Sequence, residues 1–225
     1  MVSGAERGVQ VVLYSGASVA FAKTFWYMIY EFPTPINQTY GSHFQYLTIL
    51  GLSVTFFAQV VGIFAALLNC SKLRAVKQSL DVICAPVEFL ISILYWSIKM
   101  VDPGLLIDPR IALVPPLWLD VCMHFLPSIV ELIDVVFFHP QWTMSVLASV
   151  GMFSPFVYAY WVWIHFTYKK NGFFPYPMLE MVTTSQRIHI FVVSGIILAL
   201  CQQAVRIIQK ATGKPDPKLA QKKNA

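Results

Sequence analysis

Between Trp118 and Asp134 the chain reads WLDVCMHFLPSIVELID, which sets Asp120, His124, Ser128, Glu131 and Asp134 inside a run apolar enough for a membrane. A charged side chain at the centre of a bilayer costs about 3 kcal/mol or more, so such groups face a protein interior and mark function. On one continuous helix His124 follows Asp120 by one turn and precedes Glu131 by two, so Asp120, His124, Ser128 and Glu131 form a single inward seam. Three chemistries fit a seam of imidazole, carboxylate and hydroxyl. Neutral imidazoles together with Asp120 are a donor set for iron or zinc, but no His-x-x-His-His or His-Glu-x-x-His is present and the histidines come one per apolar run. No metal and no other cofactor is therefore expected. A histidine can instead activate a hydroxyl as a nucleophile; with no Gly-x-Ser-x-Gly elbow in the chain, the residues alone do not choose that hydroxyl. The third reading is structural, in which His124 and Thr48 bond to backbone carbonyls and hold helices together.

The elements that must position these residues are membrane helices. Of the 225 residues 57% are hydrophobic and only 12% charged, and the mean hydropathy is +0.63, far from the quarter-charged surface of a soluble domain. Although the net charge is +5, Lys and Arg occupy short connections and the C-terminal tail, not an aromatic-interleaved patch, so nucleic acid is not an expected partner. Four cysteines without a Cys-x-x-Cys pair predict neither disulfides nor a zinc ribbon.

Six apolar runs have the length needed to cross about 30 Å of hydrocarbon: Val9 to Tyr30, Phe44 to Leu68, Leu80 to Met100, Ile111 to Phe137, Thr143 to Tyr168, and Ile188 to Ile208. The expected fold is an all-α, polytopic six-transmembrane-helix bundle over residues 1–210, followed by a basic cytosolic tail over 211–225. Ala20-Phe21-Ala22 resembles a signal-peptide cleavage site, but the apolar run continues through Lys23 to an aromatic belt ending at Tyr30, which favours a retained span. Six spans put both termini on one side; that side carries ten Lys and Arg residues and the other six, so both termini are expected in the cytosol. The ending Lys222-Lys223-Asn224-Ala225 is similar to the dilysine address that coat proteins read on endoplasmic reticulum membrane proteins. In this orientation Thr48 lies about 6 to 8 Å into the second span and His124 about 13 to 18 Å into the fourth, meeting only if those spans start unevenly. His43, His165 and His189 gather in the same half. His165 is read as lining the mouth of a pocket, Glu88 as structural beside Pro86, and Lys99 as a snorkelling lysine.

Several strings, in order, resemble the androgen-induced gene 1 family of multispanning membrane proteins: Gln38-Thr39-Tyr40-Gly41 leading to Tyr46-Leu47-Thr48, Ala85-Pro86-Val87 with Tyr95-Trp96, Trp118-Leu119 with Met123-His124, and Trp163-Ile164-His165 followed by Tyr176-Pro177-Met178-Leu179-Glu180. The resemblance implies an intramembrane hydrolase that cleaves fatty acid esters of hydroxy fatty acids without a metal, its threonine nucleophile matching Thr48 and its histidine matching His124. The bilayer-borne ester is then the partner, Asp120 or Glu131 can orient His124, and Ser128 and His165 support the pocket. The stretch Phe125-Leu126-Pro127 is shorter before its proline than in animal members and the basic tail is unlike theirs, which bears on pocket shape and substrate range. The competing function is a lipid-binding or carrier protein that uses the same cavity without turnover; a metal-dependent lipid oxidase ranks third.

Overall fold

The computed structural model describes residues 2–107 and 115–212, and among them every regular element is helical. The described α-helices are α1 (Gly4–Trp26), α2 (Leu47–Leu67), α3 (Ser71–Val101), α4 (Leu117–His124), α5 (Leu126–Phe137), α6 (Val146–Asn171) and α7 (Thr184–Ala211). Of these, α2, α3, α6 and α7 are long and apolar enough to cross a membrane. At 23 residues, α1 reaches about 35 Å and continues as a wider π-type turn over Tyr27–Glu31 until Pro33. Together α4 and α5 occupy the place of the fourth expected span, so the helices are consistent with six passes. The beginning of that span at Ile111, and the tail with Lys222 and Lys223, lie outside the described residues.

Local chemistry sets the helix ends. Ser3 caps α1 by accepting the Glu6 amide at 3.1 Å, Ser145 caps α6, and Thr183 with Gln186 forms a capping box for α7, each satisfying amides that the first turn leaves unpaired. Gly172 closes α6 in the left-handed region at φ 76°, where a Cβ is unfavourable. The fourth span is not one helix, contrary to the seam expected from it. Pro127 sits in the first turn of α5 and offers no amide to the preceding turn, and its ring disfavours helical geometry just upstream. The chain breaks at Phe125, with φ −133° and ψ −49°.

At the centre lies α2, flanked by α1 and α3. A Cβ on Gly51 would lie 2.8 Å from Ile91 Cδ1, and one on Gly62 would lie 2.8 Å from both Lys77 Cε and Tyr14 Cδ2. The two glycines therefore admit α3 and α1 at a distance that a side chain would forbid, as small residues do between membrane helices. Phe21, Leu52, Leu119 and Val130 fill the core between α1, α2 and the α4–α5 unit. On the far side, Gln209 of α7 donates to the Val135 carbonyl at 2.7 Å and accepts the Trp142 amide at 2.9 Å, which ties the end of α7 to the end of α5. Outward positions such as Val12, Leu147, Val192 and Leu200 stay exposed, the pattern a helix shows toward lipid.

Candidate active site

Thr48 is the second residue of α2 and is almost fully buried. The residue before the helix, Tyr46, makes no side-chain cap, so the first amides of α2 need other acceptors. Tyrosine hydroxyls supply them. The Leu47 amide donates to Tyr160 Oη at 3.0 Å and to Tyr176 Oη at 3.1 Å, and the Thr48 hydroxyl and amide lie against that same Tyr176 hydroxyl. Thus α6 and the connection before α7 fix the start of α2 and with it the threonine.

His124 is the last residue of α4. Its Nδ1 donates to the Asp120 carbonyl at 3.1 Å, and a carbonyl oxygen only accepts, so the neutral ring keeps its hydrogen on Nδ1 and its lone pair on Nε2. The ring lies flat on Tyr95, with centroids 3.4 Å apart and planes 2° from parallel. Tyr95 Oη donates to Asp120 Oδ1 at 2.7 Å, and the Lys99 ammonium binds Asp120 Oδ2 while lying over the Tyr95 and Trp96 rings. The Asp120 carboxylate is 3.8 Å from His124 Nδ1, beyond a hydrogen bond. It therefore positions the imidazole through Tyr95 and through its own backbone. The helix break frees the His124 carbonyl, which takes a hydrogen bond from Ser92 Oγ of α3; Ser128 Oγ lies 3.0 Å from that hydroxyl and donates to the Phe125 carbonyl at 2.7 Å.

Two cavities meet here. One, of about 190 Å³, is almost wholly apolar and runs between α3, α6 and α7 along Val87, Leu90, Leu94, Val157 and Leu198. The other, of about 170 Å³, lies between the end of α1, the connection to α2 and α4, along Met28, Ile36, His43, Met123 and His124. Thr48, Tyr95, Leu106 and Tyr176 line both, so the threonine stands at the junction with the histidine in the more polar arm.

The other residues singled out from the sequence divide. His43 lines the polar arm with Nε2 2.9 Å from Asn37 Oδ1, and burial holds its imidazole below the usual range. His165 lines neither arm; its Nδ1 donates to the Trp161 carbonyl at 2.8 Å and its ring packs against Trp161 and Phe174. His189 is exposed and bonds to Ser185. Glu131 parts company with His124 because of the helix break and accepts Gln59 Nε2 at 2.8 Å, while Glu88 accepts Thr55 Oγ1 at 2.7 Å. Lys99 does not merely snorkel, since it holds Asp120. The sequence reading missed the roles of Tyr95, Tyr160 and Tyr176, although the strings Tyr95-Trp96 and Tyr176-Pro177 contained two of them.

A second polar group lies where α2 turns into α3. Lys77 Nζ bonds both Asp81 oxygens at 2.8 Å and also Asp134, Tyr14 Oη donates to Asp134 at 2.6 Å, and His139 Nε2 is 2.9 Å from Asp81. Burial alone would lower the His139 pKa, but the bonds and charges of Asp134 and Asp81 raise it. Among the described residues, Asp81, Asp134 and His139 bring donor atoms within 4.8 Å of one another, a spacing that suits a metal. The Lys77 ammonium already bonds both carboxylates, which makes the group an ion-pair cluster.

Residues 10–210 match the family model described as FAR-17a/AIG1-like protein. A UPF0641 membrane protein of Schizosaccharomyces pombe is 33% identical over 198 residues, covering 88% of this chain and 88% of that one. No solved structure matches the chain.

Proposed function

The chain belongs to the FAR-17a/AIG1-like family of membrane proteins, and from that premise we propose that it is an intramembrane esterase that hydrolyses fatty acid esters of hydroxy fatty acids through Thr48 and His124. The observation that carries this reading is the place of Thr48 at the junction of two cavities, one of which His124 lines. An ester with a long chain on each side of its carbonyl needs a nucleophile between two apolar arms.

The reaction follows from the residues. Thr48 Oγ attacks the carbonyl carbon while His124 Nε2, whose lone pair is free, takes the hydroxyl proton. Collapse of the tetrahedral species expels the alkoxide, which recovers that proton from His124, and leaves an acyl-threonine. Water, deprotonated by the same imidazole, then releases the fatty acid and restores Thr48. Because His124 must reach the leaving oxygen, the hydroxy acid lies in the arm lined by His124 and the acyl chain in the apolar arm between α3, α6 and α7.

Purified wild-type protein is expected to release equal amounts of fatty acid and hydroxy fatty acid from a two-chain ester, and to cleave the methyl ester of the same fatty acid far more slowly. In lipid or detergent neither chain gains by leaving water, so this preference reflects fit that aligns the carbonyl. Protein that binds the two-chain ester and never cleaves it would make this chain a lipid carrier.

The proposed setting is the endoplasmic reticulum membrane with both termini cytosolic, supported by the charge asymmetry and the Lys222-Lys223 ending. In sealed microsomes, with the partly exposed Cys70 and Cys122 replaced by serine, an impermeant maleimide is expected to label Asn224→Cys directly. Lys170→Cys is expected to label only after permeabilisation. The reverse pattern would invert the orientation.

A further inference from the structure

The carbonyl oxygen becomes negative when Thr48 attacks, and a donor must meet it. We propose that the Tyr176 hydroxyl is that oxyanion donor, an inference that rests on the esterase reading above. Three hydroxyls crowd the start of α2, and their hydrogens can be followed. Tyr160 Oη spends its hydrogen on the Gln45 carbonyl at 3.0 Å and accepts the Leu47 amide at 3.0 Å. Thr48 gives its hydrogen to His124 in the reaction. Tyr176 Oη accepts the Leu47 amide at 3.1 Å and lies against the Tyr160 and Thr48 hydroxyls, so its own hydrogen rests on a neighbouring hydroxyl oxygen and can turn to a carbonyl that arrives beside Thr48. It lines both cavities beside Thr48, as the donor to a carbonyl at their junction must.

The site also prepares this donor. Amides at a helix start carry partial positive charge, and a hydroxyl that accepts from them becomes a stronger donor. Tyr46 packs edge-on against the Tyr176 ring at 5.6 Å and Pro175 and Pro177 flank it in sequence, so the hydroxyl is held before substrate arrives. Burial keeps the Tyr176 pKa above its ordinary range, so the group stays protonated. As the bond from Thr48 Oγ to the carbonyl carbon forms, the C=O π pair moves onto oxygen and receives the Tyr176 hydrogen bond without proton transfer. As the alkoxide leaves, the pair returns to re-form the carbonyl.

The test compares Tyr176→Phe with Tyr160→Phe in hydrolysis of the two-chain ester, with Thr48→Ala alongside and thermal unfolding measured for each. Either phenylalanine leaves the Leu47 amide one tyrosine acceptor, and Tyr160→Phe also removes the donor to the Gln45 carbonyl, so a purely structural role costs Tyr160→Phe at least as much as Tyr176→Phe. The expected result is a fall of about 10²- to 10³-fold in kcat for Tyr176→Phe, the usual loss for one oxyanion donor, with KM close to wild type and with a loss at least tenfold smaller in Tyr160→Phe. Equal losses in the two variants, or a Tyr176→Phe rate near wild type while Thr48→Ala is inactive, would overturn the donor and leave the esterase reading standing. No turnover by the wild type would remove both. Should Tyr176→Phe fail to fold, 3,5-difluorotyrosine at position 176 keeps the shape and lowers the phenol pKa. An oxyanion donor then gives kcat a new fall on the alkaline side, and an unchanged pH profile overturns the proposal.

Discussion

Thr48→Ala and His124→Ala are each expected to reduce hydrolysis of the two-chain ester by about 10³-fold or more, in protein that remains folded and still binds the ester. The double variant is expected to be no worse than either single one, because nucleophile and base act as a unit and removing one idles the other. Thr48→Ser retains a hydroxyl at the junction of the cavities and is expected to keep measurable turnover. The same assay reads the groups behind the histidine. Tyr95→Leu removes both the flat stack on the imidazole and the bond to Asp120; a misaligned base of this kind costs about 10²-fold. Tyr95→Phe keeps the stack and is expected to lose much less. Asp120→Asn is milder than in a triad whose carboxylate bonds the imidazole, because here the Asp120 carbonyl sets the tautomer and the substitution leaves it in place. Wild-type rates in Thr48→Ala would place the nucleophile elsewhere.

The legible part of this molecule was whatever the membrane makes costly. Asp120 and His124 stood out because ionisable groups in an apolar run demand a protein interior, and the all-helical architecture followed from the lengths of the apolar runs. Thr48 was legible only through the family strings, since a threonine at the end of a span is ordinary in itself. The break at Phe125 was harder to read. Proline near a helix start is common, so nothing local to Pro127 separates a kinked span from two short helices, and the assumption of one helix placed Glu131 with His124. The two residues belong to different hydrogen-bond groups. Lys99 and Asp120 are far apart in sequence and pair only because α4 packs on the end of α3, a relation that periodicity does not contain. Tyr95, Tyr160 and Tyr176 were hidden by their type, because tyrosines at span ends are what an interface ordinarily collects. Their roles depend on the uncapped start of α2, visible only once the neighbouring helices are assembled.

Lys77→Ala is expected to cost about 3 to 5 kcal/mol of stability, the range for removing one partner of a buried ion pair. The Lys77 side chain is only 3% exposed and its partners Asp81 and Asp134 not at all, so without the ammonium two carboxylates face each other beside His139 and Tyr14. The cost is not a packing effect alone. Lys77→Met fills much of the same stem volume across Gly62 and is expected to be nearly as damaging, because it restores shape and not charge. Lys77→Met combined with Asp81→Asn and Asp134→Asn removes the unpaired charges and is expected to recover most of the loss, as neutral replacement of a buried pair usually does. Thermal unfolding in detergent reads the stability, and hydrolysis per folded molecule reads the site. Since none of Lys77, Asp81, Asp134 and His139 lines either cavity at Thr48, turnover per folded molecule is expected to stay at the wild-type level in all three variants. A drop in turnover without a drop in stability would mean that this cluster takes part in the chemistry and that the division between a bracing end and a reacting end is wrong.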